Sequence, residues 1–360
     1  MVVSVLDELI VKAHDRSYSI AYINQLDELI NEIKILKENT FYIVDKKFSD
    51  LNSFTTYLQE NNTLFIDSSE NIKTLEFAKD LILKLKEKKI NRNSTIIAIG
   101  GGTLQDVSQF VSSILYRGID FIFIPTTLQA MTDSCMGGKT SLNLDYFKNQ
   151  LGTFYSPKKV LIHTGFINTL DLNELKGGYA ELIKLLIIGG FNNFEDLYNS
   201  LQINLYNLET LTTHSFKALK IKKLYVEKDE YDLDIRKILN YGHTFAHAIE
   251  TIVKNKITHG NATALGINIA NYYSLKNNLI SSNFYKLHYD FFKSFYNFTN
   301  LKEFTDISGS SILQQFVHDK KMKSNGNIDL IVPVSGKVQI KEVEIDKNLE
   351  NIINDFLNDI

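Results

Sequence analysis

The sequence predicts an α/β N-terminal domain followed by a mainly α-helical one, on three observations. Short apolar runs alternate with amphipathic stretches through the first 120 residues. From about Leu172 onward, long stretches of helical period take over. Only three prolines, Pro125, Pro157 and Pro333, are present to interrupt helices in 360 residues.

Taken in order, Phe41-Tyr42-Ile43-Val44 and Thr63-Leu64-Phe65-Ile66 have the apolar, aromatic and β-branched content of buried strands. Ile72 to Lys86 places Leu75, Phe77, Ala78, Leu81, Leu83 and Leu85 at helical spacing. Thr95 to Ile99 and Phe121 to Ile124 read as two more strands. Strands separated by helices argue for a parallel sheet. Glu174 to Ile188 and Arg236 to Val253 read as long helices. Asp329–Val334 and Lys337–Val343 read as a strand pair around Ser335-Gly336. The change of pattern puts a boundary near residue 170, giving domains 1–170 and 171–360.

Composition narrows the function classes. The 39 basic and 42 acidic residues give a net charge of −3, which offers no electrostatic footprint for nucleic acid. A single cysteine, Cys135, excludes an intramolecular disulfide framework and a multi-cysteine zinc site. The first residues mix Asp, Glu and Lys among apolar side chains, unlike a signal peptide, and no apolar run reaches membrane-spanning length. These features predict a soluble, cytoplasmic protein with no membrane partner.

Three segments carry candidate chemistry. The strand at 95–99 runs into Gly100-Gly101-Gly102 and then an apolar helical stretch. Glycines there allow close approach of a ligand, and a following helix N-terminus offers N–H groups to a phosphate. The third glycine of the dinucleotide fingerprint is missing, so the motif alone is weak. Asp45 ends another strand, where a carboxylate could accept from a ribose hydroxyl, and Thr126-Thr127 follow a third. The second segment runs from Asp133 through Gly137-Gly138 to Lys139, with Lys148-Asn149 beyond; lysines there suit phosphate or carboxylate.

The third segment is the richest. Glu181 and Lys184 share a helix face among apolar neighbours. Arg236, Asn240, His243, His247, Glu250 and His259 follow, with three of the chain's 8 histidines between positions 243 and 259. His243 and His247 are spaced for one helix face, but residue 244 is Thr, so the zinc-protease motif fails. Glu181 could complete a metal site with two of the histidines. Spacing does not say which two.

At these residues the chain resembles the 3-dehydroquinate synthase, or sugar phosphate cyclase, family. The matching segments are GGGTLQD, YRGIDFIFIPTTL, DSCMGGKTSLN, FKNQLGTFYSP, GGYAELIK, ILNYGHTFAHAIE, THG and DKK, spread from about Glu70 to Lys321. The resemblance implies a Rossmann-like N-terminal domain, a helical C-terminal domain, a site in the cleft and a homodimer. It implies NAD and a divalent metal, zinc with cobalt as the alternative, and a small sugar phosphate as substrate. Glu181, His243 and His259 then match the metal ligands, and His247 a phosphate contact. Lys139, Asn149, Arg236, Asn240 and one of Lys320 and Lys321 match groups around phosphate and carboxylate. Lys184 and Lys222 match catalytic-pocket lysines, Asp133 a carboxylate near the reacting hydroxyls, and Arg117 an arginine reaching the partner subunit's site. Asp45, Glu70, Lys73, Gly101, Gly102, Asp106, Thr126, Thr127 and Lys148 match the NAD site; the anion-binding Lys139 is grouped with them as well.

The implied activity is a phosphate-eliminating cyclisation, with NAD ending unchanged. Gln105 and Gln109 depart from the family, standing where glycines are usual and implying bulk beside the pyrophosphate. Asn261 stands where Glu is usual, and Cys135-Met136 and His163 also depart. One alternative is a paralogous cyclase for another sugar 7-phosphate in secondary or surface-sugar metabolism. A metal-dependent NAD alcohol or polyol dehydrogenase and a non-catalytic NAD-binding protein are the others.

Overall fold

The computed structural model describes residues 5–35, 39–49, 56–58, 62–145, 147–201, 204–254, 256–296, 306–318 and 326–360. The chain divides into two compact units, one of Met1–Leu170 with Leu211–Asp232, the other of Asp171–Thr210 with Leu233–Ile360.

The first unit is built on a seven-stranded sheet. Its strands are β1 (Val5–Val11), β2 (Tyr18–Ile23), β3 (Thr40–Asp45), β4 (Asn62–Ile66), β5 (Thr95–Gly100), β6 (Asp120–Pro125) and β9 (Lys159–Ile162), in the order β1-β2-β9-β6-β5-β3-β4. β1 pairs antiparallel with β2; the other pairs are parallel. A hairpin of β7 (Leu142–Leu144) and β8 (Phe147–Leu151) lies outside the sheet. Helices α1 (Leu26–Ile35), α2 (Leu75–Glu87) and α3 (Gly102–Ile114) connect strands. β3 leads to β4 on one side and β5 to β6 on the other, so the connections reverse between β3 and β5. Open α/β sheets bind ligands outside the carboxyl ends of their strands at such a point.

The four strands read from sequence are present, but β1, β2 and β9 were not read. In the outer strand β1, Asp7 and Glu8 split the apolar residues into Val5-Leu6 and Leu9-Ile10-Val11, too short a run to read as a strand. The region 171–360 is not one continuous domain either. Most of α6 (Leu208–Val226) returns to the first unit, where the Tyr22 hydroxyl donates to Ser215 Oγ at 2.9 Å and the Tyr22 ring meets Phe216 edge-on. Helical periodicity shows that a face is buried, not against which partner.

The second unit contains α4 (Leu172–Ile188), α5 (Phe191–Leu201), α7 (His243–Ile252), α8 (His259–Lys276), α9 (Ser282–Phe295), α10 (Gly309–His318) and α11 (Lys347–Asp359), with a hairpin of β10 (Asn327–Val334) and β11 (Lys337–Glu344). Asp171 opens α4 with a reciprocal capping pair to Glu174. The helix expected over Arg236–Val253 is two pieces: a 3₁₀ segment over Ile235–Asn240, then α7. Gly242 breaks it with φ +80, a conformation that L side chains rarely adopt. A Cβ there would also lie 2.8 Å from the backbone N of Ile267 on α8. Among the described residues no helix is long and apolar enough to cross a membrane.

Candidate active site

In the first unit, strand register sets out one group of residues. Gly100 pairs with Pro125 and Ile99 with Val44, so Asp45, the Gly-rich turn and Thr126 share the carboxyl edge of adjacent strands. Gly101 caps α3 and has no side chain to offer the first-turn N–H groups. A Cβ would lie 2.6 Å from Leu104 Cδ2 at Gly100, 3.0 Å from Thr127 Cγ2 at Gly101 and 3.4 Å from Ser134 Oγ at Gly102. Asp45 accepts from Lys47 N at 3.0 Å. Thr126 Oγ1 is buried with no hydrogen-bond partner among the described residues.

A charged network adjoins α3. Lys73 Nζ, buried, is 2.8 Å from Asp106 Oδ2, donates to Asn149 Oδ1 at 2.8 Å and lies 3.9 Å from Glu70 Oε1. Asn143 Nδ2 donates to Glu70 Oε1 at 3.0 Å. Burial raises the Asp106 carboxyl to about 6; Lys73 opposes the rise and Glu70 adds to it. Asn149, grouped from sequence with phosphate and carboxylate, thus sits with Glu70, Lys73 and Asp106. Lys148 precedes it on β8, half-buried.

Asp133 lies in a π-helical turn, Ala130–Ser134, a rare geometry that often marks function. Lys222 Nζ, from α6, donates to both the carboxylate and the carbonyl oxygen of Asp133. Lys139 pairs with Asp232, whose φ is +58. Asp232 was not singled out from sequence, because one acidic residue in a polar loop gives no signal. Gln105 and Gln109 are buried, and the Gln105 amide bonds Ser134 and Gln109. Its polar end is therefore engaged with the turn at 134.

In the second unit, glycines let three helices touch. A Cβ on Gly260 would be 2.0 Å from Gly177 Cα, and one on Gly266 2.1 Å from the Gly242 carbonyl oxygen. Only backbone-to-backbone contact leaves those distances, so α4 and α7 both lie directly against α8. Glu181, one turn beyond Gly177, then faces His259, beside Gly260, and His243, beside Gly242. Glu181 Oε1 is 3.5 Å from His243 Nε2 and 3.4 Å from His259 Nε2, and one ligand atom from each residue falls within 4.8 Å of the others. The other carboxylate oxygen, Oε2, is 2.5 Å from Lys184 Nζ in a buried ion pair.

The outer imidazole nitrogens are also engaged. His243 Nδ1 is 3.3 Å from the Tyr241 carbonyl oxygen, and His259 Nδ1 is 3.3 Å from Glu250 Oε2. Such contacts fix the tautomer and turn both Nε2 atoms toward Glu181. Burial, then Lys184 and the neighbouring histidines, push His243 well below the usual histidine range. Burial also lowers His259, but Glu181 and Glu250 outweigh it and raise it to about 10. The two carboxylates around His259 make a negative field that favours a proton or, in its place, a metal cation. His247 is exposed, its ring 5.5 Å from that of His243 and 6.1 Å from that of His259.

Comparison with known proteins decides the family. Models of the 3-dehydroquinate synthase N-terminal and C-terminal regions match residues 63–177 and 178–322. The chain is 34% identical to the 3-dehydroquinate synthase of Pelagibacter ubique over 344 residues, covering 91% of this chain and 92% of that protein. The chain belongs to the 3-dehydroquinate synthase family. Among solved structures, 2-deoxy-scyllo-inosose synthase complexed with carbaglucose-6-phosphate, NAD⁺ and Co²⁺ is similar with a TM-score of 0.82 and 25% identity, covering 97% of this chain and 99% of that one. The 2-epi-5-epi-valiolone synthase of Streptomyces hygroscopicus, with NAD⁺ and Zn²⁺ bound, shares the fold at a TM-score of 0.82 and 19% identity, covering 97% and 99%.

The donor sets fit the groups this family implies. One carboxylate and two imidazoles with oriented Nε2 atoms suit a divalent cation and leave positions for substrate oxygens. The glycine cradle over the α3 N-terminus and the buried Thr126 hydroxyl suit a dinucleotide. Arg236 is buried and Asn240 half-buried, one 3₁₀ segment apart. Arg117 is exposed in a tight turn where Tyr116, Arg117 and Gly118 all have positive φ. Lys320 and Lys321 lie outside the described residues.

Proposed function

We infer that this chain catalyses the 3-dehydroquinate synthase reaction, closing 3-deoxy-D-arabino-heptulosonate 7-phosphate to 3-dehydroquinate with loss of phosphate, a step toward aromatic amino acids in the shikimate pathway. The observation that carries the reading is the Glu181–His243–His259 cluster in a chain whose family match spans residues 63–322. When bound, NAD supplies reversible oxidation of a substrate hydroxyl and the divalent cation, zinc with cobalt as the alternative, a Lewis acid for adjacent oxygens.

The chain's own residues orient and neutralise. Glu181, His243 and His259 hold the cation, and Lys184 holds the Glu181 carboxylate. Gly101 and Gly102 admit the pyrophosphate to α3, Asp45 accepts from a ribose hydroxyl, and Glu70, Lys73, Asp106, Thr126, Thr127, Lys139 and Lys148 complete the NAD site. Asp133, held by Lys222, serves the reacting hydroxyls. Lys222 and Arg236 receive the carboxylate. Lys139, Asn149, Asn240, His247 and one of Lys320 and Lys321 receive the phosphate. Much of the rate comes from orientation and charge stabilisation. The protein acts in the cytoplasm as a homodimer, with Arg117 serving the partner subunit's site.

The test is phosphate release from 3-deoxy-D-arabino-heptulosonate 7-phosphate beside neutral seven-carbon sugar phosphates, with NAD and Zn²⁺ present. The acidic substrate should turn over and the neutral ones should not. Arg236→Lys should cost about 2–5 kcal/mol in kcat/KM for the acidic substrate, because a lysine cannot reproduce the guanidinium fork on a carboxylate. Equal turnover of the neutral substrates would favour the paralogous cyclase acting on another sugar 7-phosphate.

A further inference from the structure

Gln105 occupies a position where the family resemblance leads one to expect glycine, and the fold gives it a definite task. The side chain is 3% exposed on α3. Its Nε2 donates to the Ser134 carbonyl oxygen at 2.9 Å and to Gln109 Oε1 at 3.1 Å. Its Oε1 accepts from Ser134 Oγ at 2.7 Å. Both amide N–H groups and the oxygen are thus used. Gln109 Nε2 donates onward to the Tyr155 carbonyl oxygen. A need for bulk alone would be met by an apolar side chain without the desolvation cost of a buried amide.

What the amide grips is the π-helical turn carrying Asp133. That turn closes with the wide bond from Cys135 N to the Ala130 carbonyl oxygen at 3.1 Å. Ser134 ends it, and its hydroxyl also lies against Gly102, where a Cβ would be 3.4 Å away. The preceding residue, Asp133, is held from the other side by Lys222 Nζ, at 2.6 Å from its carbonyl oxygen and in an ion pair with its carboxylate. One short turn is therefore fastened to α3 by Gln105 and to α6 by Lys222.

We propose that Gln105 is a positioning residue, which through Ser134 fixes the Asp133 turn against the glycine-rich start of α3. The proposal rests on the reading in which Asp133 and Lys222 act on the substrate. A displaced carboxylate slows chemistry more than it weakens binding, and small misplacements are expensive in rate.

The test uses the full-length, NAD- and metal-loaded protein. Gln105→Met keeps the volume and removes every side-chain hydrogen bond. It should lower kcat on the order of tenfold. NAD affinity and the affinity of a non-reacting phosphonate analogue of the substrate, both by calorimetry, should stay within about twofold of wild type, since neither depends on the reacting step. Ser134→Ala should lower kcat alone but add little in the Gln105→Met background, because both remove one linkage. Asp133→Asn is measured in parallel. If it is fully active, the reading of Asp133 fails and takes the proposal with it. If it is impaired while Gln105→Met keeps wild-type kcat, only the proposal fails. An NAD affinity that drops in step with kcat would also overturn it, placing the effect on the cofactor turn. Should Gln105→Met not fold, Ser134→Ala decides: reduced kcat at unchanged NAD affinity supports the linkage, and unchanged kcat removes it.

Discussion

At the carboxyl ends of β3, β5 and β6 the chain presents backbone N–H groups, glycines and short side chains; along α4, α7 and α8 it presents side chains from three separate helices. The first arrangement is local. Strand, glycines and helix start lie in one run, Thr95 to Asp106, and parallel register places Asp45 and Thr126 beside it. The second is assembled at a distance. Glu181 is 62 positions before His243 and 78 before His259 (243 − 181; 259 − 181), and the three meet because glycines remove the side chains between their helices. The glycines of the first region lie against side chains, those of Leu104, Thr127 and Ser134, whereas Gly260 and Gly266 in the second lie against backbone.

The largest effect should come from breaking the second kind. Gly260→Ala adds a Cβ 2.0 Å from Gly177 Cα and 2.8 Å from its carbonyl carbon and oxygen. Backbone cannot rotate away, so α4 and α8 must separate and Glu181 must leave the two imidazoles. We expect a stability loss of about 3 kcal/mol or more, above the ordinary range for overpacking. Denaturant titration and metal competition with a chromophoric chelator would show both losses. NAD affinity should hold. Equal loss of NAD affinity would show that the two regions do not stand independently.

This contrast explains what the sequence made legible. The strand-to-glycine run and the burial of Glu181 and Lys184 could be read because each is a local pattern. Helical spacing pointed to His243 with His247, since i and i+4 share a face. In the fold His247 lies at the exposed side, and the imidazole facing Glu181 beside His243 comes from α8 instead. The continuous helix over 236–253 failed at Gly242, which has positive φ and lies against Ile267, a residue 25 positions on (267 − 242). Asp232 carries no local signature, and Glu250, though in the histidine-rich segment, carries none for its partner; Lys139 and His259 are brought to them only by folding.

The next effect sharpens the second region without moving its helices. Glu250→Gln keeps shape and an accepting oxygen for His259 Nδ1 but removes the charge behind it. Carboxylates behind ligating histidines raise ligand basicity, and their loss typically costs roughly 10–100-fold in metal affinity. Chelator competition on the folded variant checks this. Unchanged affinity would mean that Glu250 serves only packing.

A smaller effect is expected from the matching glycine of the first region. At Gly101 an added Cβ meets the Thr127 methyl at 3.0 Å, a side chain rather than backbone, and φ is an unstrained −83°. Gly101→Ala should fold normally and weaken NAD about tenfold, or about 1.4 kcal/mol. Metal affinity should not change. A collapse as severe as that of Gly260→Ala would erase the distinction between glycines packed on side chains and glycines packed on backbone.

A graded effect, spread over about two pH units rather than switched by a substitution, concerns charge beside the first region. Asp106 titrates near 3.8 in an unfolded chain and at about 6 in the fold, because burial raises it more than Lys73 lowers it. Between these values the folded protein keeps a proton that the unfolded chain has lost. The unfolded state therefore binds fewer protons, and stability falls as pH rises from about 4 to about 6, then levels. The stability present below pH 4 and lost by pH 6 amounts to at most about 3 kcal/mol for this one group. Asp106→Asn removes the titration but leaves Lys73 with Asn149 and Glu70. The difference in unfolding free energy, wild type minus Asp106→Asn, should thus decline across that window and stay flat above it. If the difference instead rises with pH, the Lys73 charge dominates burial, and the pair behaves as an ordinary ion pair in which the carboxylate is favoured by folding.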